Sequence, residues 1–480
     1  MNKRLITLCF FILVAPLALY YALEHPSTHP SPSPETAIQP VEPKTLSVPV
    51  STTPAESVDT RSQTKPSIHT WQSSQGTAVY FWQNPTLPML DIHISFDAGS
   101  SRDGQDFGLA YLWLQLLDQG NQSLGLNADQ IAAGFENQGA VFNTRLERDR
   151  AIIALRTLSD PKILQPVIHL FTQMIAQPSF SASSIDLIKS QMLNTQKMSA
   201  QQPEVLARNA FYQAIYGNHA YAHVPIGSAQ SLQAITQKNL QDFHQQYAVA
   251  PNAVLTIVGD LDLEQAKTMS EQILRALPAG HKASPVATPE PLKTEIKQHI
   301  VYPSEQTHLL MGAPCMAVNN PNYFALLIAN EILGANPLVS RLFQEIRNKR
   351  GLAYHVSSKL FPLKETGPFR IQLQTQNHQI KEAIALVTET LRRFIQEGPS
   401  ESELSDAKES VIQAFPLSMN TNEKIIAELD EMAFYQKPTD FLDHYQEHIK
   451  KVSLSEVQEA LKRYLHPEHM AIITVGPIAP

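Results

Sequence analysis

Cysteine is nearly absent: two residues in 480, Cys9 and Cys315. One lies in the N-terminal apolar run and the other deep in the globular part, so they neither staple the fold nor form a Cys-based zinc site. A basic excess is missing too. Lys and Arg total 37 against 45 Asp and Glu, a net charge of −8, which leaves no electrostatic footprint for nucleic acid. Charged residues make up only 17% and apolar residues 43%, a globular rather than disordered or fibrous balance. The length exceeds one ordinary domain and predicts two or three.

The one long hydrophobic run is at the start. Lys3 and Arg4 precede an uncharged stretch, Leu5 to Leu23, about long enough to cross a bilayer as a helix. It is longer than a usual signal core and no clean small-x-small cleavage site follows. Residues 1–24 therefore read as an uncleaved signal anchor, with a cleaved signal peptide as the alternative. Either predicts export, and the anchor predicts an inner-membrane-tethered body in the periplasm. Residues 25–70 are a Pro/Ser/Thr-rich linker, with nine prolines between His25 and Pro66. Such a segment buries too little apolar surface to order itself.

From Trp71 onward, strand-like and helical periodicities alternate. A Pro/Ala/Lys-rich stretch divides this part into 71–278 and 295–480, with 279–294 as the interdomain linker. The halves echo one another. LQDFHQQYAVAPNAVLTIVGD (240–260) lies over VQEALKRYLHPEHMAIITVGP (457–477), with Tyr247 on Tyr464, an offset of 217. The same offset sets Phe107 on Phe324, FGLAYLWLQLLDQG over FALLIANEILGANP. Two matches at one offset predict a duplicated α+β domain. Each copy is expected to be a twisted, mostly antiparallel sheet with helices packed on one face.

The repeat, the closing "Tyr…NAVLTIVGD" strand, YGNHAYAHVPIGS (216–228) and SRLFQEIRNKRGLAYHVSS (340–358) resemble the pitrilysin/insulinase peptidases. The likeness is greatest to the short two-domain bacterial members and the mitochondrial processing peptidase subunits, and it spans roughly 71–480. It implies two such chains closing around a chamber that holds a peptide. Active members carry H-x-x-E-H on the first helix: two His bind zinc and the Glu activates its water. Here the corresponding positions are Tyr111, Leu114 and Gln115, in GLAYLWLQL. The distal ligand should fall within Ser190–Thr195, which holds no carboxylate. All four positions are lost together, so no cofactor is expected in this chain. His219 and His223 lie four apart in a loop with no acid or Cys to complete a metal site. His93 reads as a partly buried strand residue.

The second half keeps another constellation. In EIRNKRGLAYHV, Arg347 ends a helix that Gly351 can cap, and a strand begins near Tyr354. The resemblance implies that this Arg and Tyr reach a partner's zinc site, where Arg donates to substrate carbonyls and the Tyr hydroxyl to the oxyanion. Arg341 reads as structural. The stretch LGANPLVSRLF is not glycine-rich, unlike the non-catalytic processing-peptidase subunit. The expectation is a substrate-binding subunit without activity of its own, paired with a zinc-bearing chain that keeps H-x-x-E-H. The alternative is an inactive scaffold of the same fold.

Overall fold

The computed structural model describes residues 68–479. The anchor and most of the linker read above lie outside the described residues. The first sheet is built from β1 (Ile68–Gln72), β2 (Ala78–Gln83), β3 (Met89–Phe96), β4 (Val141–Leu146), β5 (Ala151–Leu158) and β6 (Ala253–Gly259), in the order β1-β2-β6-β3-β5-β4. Strands β2 and β6 run parallel and the other neighbours antiparallel. The second sheet contains β7 (Ile296–Val301), β8 (Gln306–Met316), β9 (Ala353–Leu360), β10 (Gly367–Gln376) and β11 (Ala471–Gly476), in the order β9-β10-β8-β11-β7. Its one parallel pair is β7–β11. Strand for strand, β7-β11-β8-β10-β9 retraces β2-β6-β3-β5-β4, with the parallel pair in the same place. This is an α+β fold of two related halves with mixed sheets.

The first half carries α1 (Leu109–Gln115), α2 (Ala128–Glu136), α3 (Pro161–Ala176), α4 (Ala182–Ser199), α5 (Pro203–Tyr216), α6 (Ala229–Ala234), α7 (Gln237–Tyr247) and α8 (Leu263–Leu274). The second carries α9 (Tyr323–Asn330), α10 (Ile380–Glu397), α11 (Glu401–Ser418), α12 (Asn422–Phe434), α13 (Phe441–Lys451) and α14 (Leu454–Tyr464). Asn127, Thr236, Asp262, Ser400 and Ser453 each close a capping box at a helix start, satisfying N–H groups that the first turn leaves unpaired. Apolar periodicity over 323–333 and 340–350 predicts two α-helices, and both are cut short. The first gives way to a π-helical turn, Glu331–Ala335, and the second is π-helical over Phe343–Asn348.

Helices do not keep to one face of each sheet, and that expectation is corrected. Strand β6 is buried along nearly its whole length, which requires cover on both faces. The second cover is α12, from the other half: Ile426, Leu429 and Met432 pack with Val258. Reciprocally, Ala207, Phe211 and Ile215 of α5 pack on Leu310, Ile473 and Val475 of the second sheet. Each half lends the other a helix.

Buried polar groups lock the exchange. Asp430 of α12 accepts from Arg150 Nη1 at 2.9 Å, from Ser95 Oγ at 2.8 Å and from Thr256 Oγ1 at 3.1 Å. The loop between β9 and β10 is clasped by the first half. Asp149 accepts from the Lys364 backbone N–H at 2.7 Å and from the Tyr221 and Tyr435 hydroxyls, while Lys364 Nζ reaches Asp97 at 2.6 Å. Residues 278–293 form no regular element. They run as a strap, held by Arg102 to Ser284 O (2.7 Å), by Asn252 to Ala283 N (2.9 Å) and by Thr288 to Glu365 (2.8 Å).

The expected inner-membrane anchoring with a periplasmic body is corrected and withdrawn. Among the described residues no helix is long and apolar enough to cross a membrane, and the run 5–23 on which that expectation stood lies outside them.

Candidate functional site

Helix α1 begins abruptly, and its neighbours explain how. Gly108 has φ of +97°, and a Cβ there would meet Ile226 O at 2.9 Å, so only glycine fits the turn. Asp103 caps the helix, accepting from the N–H groups of Gly108 (2.8 Å) and Ala110 (2.7 Å). Its other partner is His223, Nε2 to Oδ2 at 2.9 Å, and His223 in turn stacks on Phe107 at 4.5 Å. Burial raises the Asp103 carboxyl, opposed by His223 and the two N–H groups. His219 bonds Ala287 O at 2.6 Å. The two loop histidines thus hold backbone and a helix start.

Along α1 the positions of interest occupy very different surroundings. Tyr111 is half-buried against the first core, and burial raises its phenol, so it stays neutral. Leu114 is 1% exposed, an apolar plug. Gln115 donates Nε2–H to Thr144 Oγ1 of edge strand β4 at 3.3 Å. The window 190–195 lies on α4, which touches α1; its Met192, 2% exposed, belongs to the same core cluster as Leu114. A neutral phenol, a buried alkyl group, an engaged amide and a distal window without a carboxylate do not make a zinc site. The residues present do not fit the metal. Among the described residues, no group of three or more His, Cys, Asp or Glu is placed to hold one.

Arg347 and Tyr354 meet. The N–H of Gly351, at φ +62°, bonds Arg347 O at 2.9 Å and stops the π-helical segment. Strand β9 then opens with a bulge. Ala353 pairs with Thr375 and Val356 with Leu373, so three steps on β9 oppose two on β10. The extra residue leaves Tyr354 and His355 both exposed, Tyr354 by 83%, as bulges re-aim side chains. The Arg347 guanidinium sits 4.7 Å from the Tyr354 ring centroid and 5.0 Å from that of Phe343, within cation–π range. Spacing and Gly351 predict this pairing; the bulge and His355 carried no local sequence signal. Arg341 is structural: it forks onto Glu403 at 2.6 and 2.7 Å, bonds Gly398 O at 2.9 Å and stacks on Phe394.

The family model described as "Insulinase (Peptidase family M16)" matches residues 79–226, and "Peptidase M16 inactive domain" matches 234–411. The crystal structure of a peptidase M16 inactive domain from Pseudomonas fluorescens is 33% identical. It has a TM-score of 0.82 and covers 86% of this chain and 98% of its own. The chain belongs to peptidase family M16.

Other M16 relatives fall on both sides of activity by name. The "Non-peptidase homolog YmxG" of Helicobacter pylori is 26% identical, covering 80% of this chain and 88% of that protein. The "Uncharacterized zinc protease YmxG" of Bacillus subtilis is 23% identical over 85% and 98%. The fold is also that of a protease from H. pylori, with a TM-score of 0.77 at 16% identity. Within this M16 chain the zinc motif is replaced at every position, so by itself it lacks both the metal ligands and the base of an M16 peptidase.

Proposed function

We propose that this chain is the non-catalytic, peptide-binding half of a two-chain M16 peptidase. A second M16 chain with H-x-x-E-H supplies the zinc, and this chain supplies Arg347 and Tyr354 to bound peptide. The observation that carries the reading is the pair itself. A tyrosine 83% exposed at a bulge and stacked under an arginine gains little from packing, whereas Leu114, at the position of the former base, is buried in the core. Arg347 presents planar N–H donors to a peptide carbonyl. Tyr354 offers a neutral O–H donor where charge develops on the attacked carbonyl oxygen.

The test is co-expression with an M16 chain of the same organism that carries H-x-x-E-H, followed by peptide-cleavage assays on the co-purified complex. Tyr354→Phe is expected to lower kcat by about 10²–10³, the usual effect of removing one such donor. Arg347→Ala should act chiefly through KM. Unchanged turnover in both variants overturns the reading. Recovery of this chain only with non-peptidase partners would favour a scaffold of the same fold.

A further inference from the structure

Two aromatic rings lie within cation–π range of the Arg347 guanidinium, and their surroundings differ. Tyr354 is 83% exposed, whereas Phe343 is 8% exposed. A ring surrounded by solvent changes rotamer freely, so it can stack on a cation but cannot fix one. Phe343 opens the π-helical segment that contains Arg347, four residues before it. That spacing lays one side chain over the other on a helix wall. The segment packs against β9, and Leu342 and Ile346 carry its packing into the second core. Phe343 belongs to no core cluster among the described residues. What lies over its ring, at 5.0 Å, is the Arg347 guanidinium.

The guanidinium has no other claimant. Among the described residues the Arg347 side chain makes no hydrogen bond or ion pair, and its contacts are the two rings. Glu345, two residues away, is taken by Lys349 at 2.8 Å and Arg393 at 3.1 Å. Arg350 faces Glu382 instead. Contact through a ring face satisfies none of the N–H donors, so the planar fork is left for a ligand.

We propose that Phe343 is a positioning residue of this site: its buried ring holds the Arg347 guanidinium over Tyr354, with the N–H fork set before peptide arrives. The proposal rests on the reading that Arg347 and Tyr354 face bound peptide, and names what makes that pair a fixed one. A long side chain ordered only at binding gives up its rotamer freedom there and weakens the complex. One already stacked on a fixed ring has given it up on folding. A buried phenylalanine is ordinarily plain filling, a role that is indifferent to the residue at 347. The test therefore reads the coupling between the two positions.

With isotope-labelled arginine in the intact chain, the Arg347 Nε–H resonance can be assigned by its absence from Arg347→Lys. Ring currents should shift it upfield. Phe343→Leu, still apolar, should return it toward the position of a free arginine, and Phe343→Tyr should leave it in place. A short fluorescein-labelled peptide with blocked ends, titrated by anisotropy, should bind about three- to tenfold more weakly to Phe343→Leu, the range of one cation–π contact. In an Arg347→Ala background the same change should cost nothing further, as for two residues acting as a unit. A wild-type resonance at the free-arginine position, or one that ignores Phe343→Leu, overturns the positioning role. So does full affinity in Phe343→Leu where Arg347→Ala is weakened, or a loss that persists without Arg347. A shifted resonance combined with peptide affinity that Arg347→Ala leaves unchanged, or with no peptide binding, overturns the platform reading instead.

Discussion

At the scale of single residues, the back of α1 is as constrained as its altered front. Trp113 is fully buried, and its indole N–H donates to His244 Nδ1 at 3.2 Å. An indole can only donate, so Nδ1 accepts and the proton sits on Nε2, facing Ala176 O at 3.3 Å. Burial pushes this imidazole down to about 4. The unfolded chain binds the proton near the ordinary value of about 6.5, so stability is complete above that pH and declines as pH falls toward 4. The loss should be on the order of 2–3 kcal/mol. His244→Gln keeps an acceptor for Trp113 and a donor for Ala176 without titrating. Urea unfolding should show a shallower decline between pH 6.5 and 4 in that variant, and an unchanged slope would refute the assignment.

The same scale shows what the sequence could reveal of the site. Once the resemblance marks Tyr111, Leu114 and Gln115 as the metal-site positions, the loss of the zinc chemistry follows from side-chain identity. That Leu114 has become core depends on Met192 and α4, which approach from far along the chain. That Arg347 and Tyr354 lie together was legible because seven residues and one glycine set their geometry locally, while the role read for them came from the resemblance. His355 was not, because a bulge is a mismatch between two strands and β10 lies outside the local sequence.

At the scale of elements, α12 is where local reading stops. Its apolar stripe announces a buried face but not which sheet receives it, and consecutive elements usually pack as neighbours. The buried carboxylate of Asp430 is the physical marker of the exchange. Asp430 and Arg150 are 1% and 2% exposed, so removing the Asp430 carboxylate leaves a buried guanidinium with Glu147 as its remaining charged partner. Asp430→Ala should cost about 3–5 kcal/mol in chemical denaturation. Asp242→Ala, which breaks the solvent-exposed Lys238–Asp242 pair, should cost under about 1 kcal/mol. Similar losses for the two would contradict the interlock.

At the scale of the whole molecule, the duplication was legible because both copies preserve their closing helix and strand at one spacing. Strand order, and the reciprocal loan of helices, were not. Strand order is a property of pairing among segments up to about 175 residues apart, such as β2 with β6 and β7 with β11.

The strap at 278–293 supplies covalent continuity and little else. Each half already wears the other's helix, and Asp149, Asp97 and Asp430 hold across the join. Proteolytic nicking within the strap should therefore give two bands on a denaturing gel but a single particle of unaltered size on gel filtration. Separate elution of the fragments would contradict that picture. Evolution could cut this chain in two and still have one protein.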